Sequence, residues 1–97
     1  MRLTPQQIDI IRHAAEEAFG PGTQIVLFGS RVDNNRRGGD IDLLVQPANP
    51  DQALARKIRF LGILERRLGE RKIDVIIESP RDTRPIVQIA RATGVRL

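Results

Sequence analysis

Asp40-Ile41-Asp42-Leu43-Leu44-Val45-Gln46 decides how this chain reads. Side chains alternate across a strand with a period of two, so this segment predicts a strand with Ile41, Leu43 and Val45 on a core face. Asp40 and Asp42 then share the other face. Pro47 ends the segment. Upstream, Gln24–Phe28 is a second strand-like run, closed by Gly29-Ser30. The polar stretch from Arg31 to Gly39 between them reads as a loop. Downstream, Ile73–Glu78 is a third strand bounded by Ser79-Pro80, with Asp74, Ile76 and Glu78 on one face and Ile73, Val75 and Ile77 on the other.

Helical signals fill the gaps between these strands. Thr4-Pro5-Gln6-Gln7 supplies an N-cap, a proline at the first helical position and a capping-box glutamine. Ile8, Ile11, Ala15, Ala18 and Phe19 follow at helical spacing until Gly20-Pro21, which predicts a helix over residues 5–19. Asn49-Pro50-Asp51-Gln52 repeats the same cap grammar. Leu54, Ile58, Leu61, Leu64 and Leu68 then mark one apolar face of a long helix ending at Gly69. A short helix is expected over Pro85–Ala92, with apolar Ile86, Ile89 and Ala90, before Gly94 stops it, and Val95-Arg96-Leu97 is expected to add a tail strand. The alternation predicts an α/β fold, a small β-sheet with helices packed on it. Strand direction is left open by the sequence, so the sheet is expected to be mixed.

The chain has 97 residues, which suits a single domain over 1–97. Nothing approaches the roughly 20 apolar residues needed to span a bilayer, and no secretory signal is read at Met1-Arg2-Leu3-Thr4-Pro5. There are no cysteines, hence no disulfide framework and no thiolate metal site. These features fit a cytoplasmic protein. The net charge of +4 rests on fourteen arginines and two lysines spread along the chain, which suits a polyanionic ligand or an acidic partner. Arg56, Lys57, Arg59, Arg66 and Arg67 are expected to form a solvated helix face and a secondary surface for an acidic partner. Phe19, Phe28 and Phe60 are expected in the core, and His13, the single histidine, on the first helix in a structural role.

Three aspartates in apolar strands with no base beside them point to a cation, because a buried carboxylate needs a partner. Residues i and i+2 of a strand lie about 6.5–7 Å apart, so Asp40 and Asp42 can converge on divalent ions. If the second and third strands are neighbours in register, Asp74 completes the cluster. Oxygen-only ligands favour Mg²⁺ or Mn²⁺ over zinc. Two such ions roughly 3.5–4 Å apart suit in-line displacement at phosphorus, with Asp74 the candidate base for an attacking hydroxyl. Gly29 lets the backbone approach a phosphate, Ser30 can hold phosphate oxygens through N–H and hydroxyl groups, and Arg31 can pair with a terminal phosphate.

Leu27-Phe28-Gly29-Ser30-Arg31, then Asp40-Ile41-Asp42-Leu43, then a strand-borne Asp74, resembles the nucleotidyltransferase superfamily related to DNA polymerase beta. The length and the ending from Ile89-Ala90 to Gly94-Val95 are similar to the minimal nucleotidyltransferases of prokaryotic toxin–antitoxin pairs. The resemblance implies a nucleotidyltransferase-type fold and Mg²⁺-dependent transfer of AMP from ATP to a hydroxyl, with Asp40, Asp42 and Asp74 on the metals. It further implies a small helical HEPN-type toxin as partner, neutralised by adenylylation, which makes this chain an antitoxin.

Two other readings compete. A non-catalytic antitoxin would neutralise a HEPN-type partner by contact alone. A basic nucleic-acid-binding domain is disfavoured by the lack of Trp and Tyr for stacking and of a groove-reading helix. A cleft built from so short a chain is open on one side. Since catalysis depends on orientation, a toxin subunit or a second copy of this chain would close it.

Overall fold

The computed structural model describes residues 3–29 and 41–97. Element order is α1 (Pro5–Phe19), β1 (Gln24–Phe28), β2 (Ile41–Gln46), α2 (Ala53–Leu68), β3 (Ile73–Ile77), α3 (Pro85–Thr93) and β4 (Val95–Arg96). The strands form one mixed sheet in the order β3-β2-β1-β4. β1 runs antiparallel to both β2 and β4, while β2 and β3 are parallel. The expected α/β fold is the one observed, and so is the tail strand.

Local chemistry explains the first helix well. Thr4 Oγ1 accepts from the Gln7 backbone N–H at 3.1 Å, and the Thr4 N–H donates to Gln7 Oε1 at 2.9 Å. This reciprocal pair satisfies helix-end donors that would otherwise be orphaned. At the other end Gly20, at φ 102, donates its N–H to Glu16 O.

The second helix starts differently from expectation. Gln52 occupies the N-cap in the left-handed region, at φ 56, and makes no side-chain cap bond. The Asn49 side chain instead accepts from the Asp51 N–H at 2.9 Å, an Asx turn ahead of the helix. Arg56 then fastens the first turn, donating to Asp51 O at 2.8 Å and to Ala18 O at 3.1 Å. So Arg56, read from the sequence as part of a solvated face, is half-buried and ties α2 to the end of α1. Arg67 reaches Glu17 at 3.4 Å, an exposed pair of the sort that contributes little.

The sheet has two differently covered faces. One face, with Ile25, Leu27, Ile41, Leu43, Val45 and Val75, packs on α1 and α2 to make the main core. Phe19 and Phe60 meet there edge-on, with ring centroids 5.7 Å apart, a geometry worth about 0.5–1.5 kcal/mol beyond area burial. The other face, with Val26, Phe28, Leu44 and the half-buried Ile76, packs on α3 through Val87 and Ala90. All three phenylalanines are buried, as expected, and His13 is exposed on α1.

One helix face departs in part from the expectation. In α2 the expected face holds at Leu64, which is buried, and at Leu61 and Leu68, which pack against the core beside Phe60 and Ile63, whereas Leu54 and Ile58 are 72% and 64% exposed. In α3 the inward residues are Val87 and Ala90, and Ile86 and Ile89 face outward. Both helices carry more apolar positions than one face can bury, so spacing alone does not say which side meets the sheet. Among the described residues no helix is long and apolar enough to cross a membrane.

Candidate active site

The parallel β2–β3 register sets Asp42 opposite Asp74. Paired positions on neighbouring strands lie about 4.8 Å apart and project to the same face. The register condition for bringing these two acids together is therefore met. Phe28 is paired with Asp42 from the other side, in β1. This places the acids near the N-terminal ends of the two parallel strands, level with the C-terminal end of β1, where Gly29 follows.

Gly29 is held against Asp42 by close approach. Its φ is +75, in the left-handed region, and a Cβ there would collide with the Asp42 carboxylate, lying 3.1 Å from Cγ and closer still to Oδ2. A side chain is thus excluded twice, by backbone conformation and by the neighbouring acid. The sequence suggests only that Gly29 would admit a phosphate. Its role in making room for the Asp42 carboxylate depends on a strand pairing that no local motif reveals.

The surroundings divide the acids into two kinds. Asp42 is half-buried, beside the apolar floor of Val26, Phe28 and Leu44 that α3 covers, whereas Asp74 on the edge strand is exposed. The argument that a buried carboxylate requires a partner therefore applies to Asp42 and not to Asp74. A dry floor strengthens any charge interaction made above it, relative to water. An exposed carboxylate on the edge strand remains accessible to an incoming molecule.

Asp40, Ser30, Arg31 and the polar stretch 31–39 lie outside the described residues. Among the described residues no three His, Cys, Asp or Glu side chains form a metal-binding group, and the acids that come together are Asp42 and Asp74. Their donor set is oxygen alone, with no imidazole or thiolate beside it. That chemistry fits a hard divalent cation such as Mg²⁺.

At the other end of the same face lies a polar network that the sequence reading missed. Glu78 receives Arg91 Nε at 3.0 Å and a second, shorter bond from Arg91 Nη2, and also Gln46 Nε2 at 3.2 Å. The Arg91 bonds hold the Glu78 carboxyl below its ordinary value against the opposing effect of burial. Next to it Arg84 donates to Asp82 and, at 2.7 Å, to Ile77 O on the β3 edge. Bonds from Arg84 and from the Ser79 N–H depress the Asp82 carboxyl strongly. These pairs fix α3 across β2 and β3, so they position the wall beside the acids. The one sequence signal for them was Glu78, four residues after Asp74 on the same strand face.

A family model described as nucleotidyltransferase domain matches residues 8–93 of the chain. No curated protein matches it.

Proposed function

The chain belongs to the nucleotidyltransferase domain family, and on that premise we propose that it transfers AMP from ATP to a hydroxyl group of a partner protein. The acceptor oxygen attacks the α-phosphorus, the bond to the bridging oxygen of pyrophosphate breaks, and the hydroxyl proton passes to a carboxylate. Asp74 is assigned as that base because it is exposed on the edge strand, where an acceptor can reach it. Asp42, with Asp40 and Asp74, is assigned to hold Mg²⁺. When bound, the metal supplies positive charge that offsets the triphosphate and the developing charge at phosphorus. Gly29 leaves the Asp42 carboxylate its space, and Ser30 and Arg31 are assigned to the phosphates. The partner is assigned as a small helical toxin of the HEPN type, giving the chain an antitoxin role.

The observation that carries the reading is the register pairing Asp42 with Asp74 beside a glycine that the acid itself requires. Co-expression with the partner and α-labelled ATP tests it. Label should move to the partner in the presence of Mg²⁺ and fall by at least about 10²-fold in Asp42→Asn, since removing transition-state charge stabilisation has effects of that order. Neutralisation that persists in Asp42→Asn without labelling would mean that contact, not transfer, does the work.

A further inference from the structure

Helix α2 carries large apolar residues beyond its core face. Phe60, Ile63 and Leu64 face the core, and Leu54, Ile58 and Leu61 follow at i, i+4 and i+7 along the outer flank, where Leu61 still packs against the core and Glu65 ends the row at i+11. Leu54 and Ile58 stand in water, and Leu61 is half-buried. At 100° per residue, Ala55 and Gly62 fall on this same outward side. Single exposed leucines are ordinary, but two exposed large apolar residues one turn apart, continued by the half-buried Leu61 and with small residues beside them, are a shape that another helix fits. The row leads at its C-terminal end into a charge-balanced cavity of about 510 Å³ lined by Leu61, Ile73, Glu65, Glu70, Arg71 and Lys72.

We propose that this side of α2 docks an amphipathic helix of a partner protein whose apolar ridge is bordered by acidic residues. Charge decides the occupant. α2 carries five basic residues and one acid, Glu65. Arg56 and Arg67 are engaged with α1. Arg59 and Arg66 border the stripe on one side and Lys57 on the other, and none of these three has a carboxylate partner among the described residues. The Arg66 guanidinium lies close beside Gly62, at the margin of the row. A second copy would bring like charges together, whereas acidic margins bring opposite ones. A bilayer is the poorer match, since surface-seeking helices insert bulky and aromatic side chains where this row has Ala55 and Gly62.

The surface lies on the sheet face away from Asp42 and Asp74, so the proposal stands apart from the nucleotide chemistry. The cavity end brings the docked helix to the start of β3, where Lys72 and Ile73 precede Asp74.

The full chain is titrated against two fluorescein-labelled helical peptides, followed by anisotropy. Both repeat leucine at i, i+4 and i+7, one with glutamate margins and one with lysine margins. The glutamate peptide should bind at least about tenfold tighter. Leu54→Ser and Ile58→Ser should each weaken it by about tenfold at unchanged melting temperature, and Arg59→Glu with Arg66→Glu should reverse the preference. Asp42→Asn should bind the peptide as wild type does. Absence of binding, equal binding of the two peptides, or indifference to Ile58→Ser would overturn the proposal. So would a dimer in light scattering that Ile58→Ser dissolves, which gives the face to a second copy. Ile58-dependent binding to phosphatidylserine vesicles would give it to a membrane and overturn the proposal equally.

Discussion

At Gly29, conformation and neighbour agree on one residue type. Gly29→Ala must accept a left-handed backbone that disfavours any side chain by about 1–2 kcal/mol and must push back the Asp42 carboxylate. The variant should melt lower and lose Mg²⁺-dependent ATP binding. Binding unchanged by Gly29→Ala would show that the Asp42 carboxylate has no part in it. Asp74 offers the complementary case. It is exposed, so Asp74→Asn should leave stability within about 0.5 kcal/mol of wild type while abolishing transfer, as thermal melting and labelling would record. The side of the sheet taken by Asp42 and Asp74 was legible in the sequence because strand periodicity sets them opposite the core residues Leu43 and Val75, while Ser30 and Asp40 lie outside the described residues. The parallel β2–β3 register was not legible, because pairing depends on how α2 returns the chain to the sheet.

Among the elements, α3 and its locks set the wall beside the acids. The Glu78 carboxyl is held below its ordinary value, chiefly by Arg91, so the pair stabilises the fold above that value of 4.5 and loses the contribution as pH falls through the lowered one. Arg91→Gln should therefore be less stable than wild type at neutral pH, with the gap narrowing in acid. A constant gap across an acid melting series would contradict this origin. The turn between α3 and β4 is as constrained. A Cβ on Gly94 would lie 2.5 Å from Ala90 O and 2.9 Å from Leu27 O, so Gly94→Ala should destabilise by about 1–3 kcal/mol in denaturant titration. Helix α1 was readable to its caps because Thr4 and Gln7 satisfy each other locally. The inward face of α2 was readable only in part, at Phe60 and Leu64, since Leu54 and Ile58 compete with Ile63, and in α3 Ile86 and Ile89 compete with Val87. Only the sheet selects between them.

In the whole molecule, the proposed chemistry and the proposed docking surface lie on opposite faces of one sheet. The acids sit with α3, and the outward stripe of α2 belongs to the opposite layer. A partner held on α2 would not cover Asp42 and Asp74, which lie on the opposite face of the sheet. That arrangement requires the metal and nucleotide to gather at the Asp42–Asp74 pair. Mn²⁺ titration of the ATP-bound chain, followed by backbone NMR, measures this directly. Paramagnetic broadening should strike the amides of Gly29, Asp42 and Asp74 first and disappear in Asp42→Asn. Broadening centred elsewhere, or unchanged in that variant, would contradict the account.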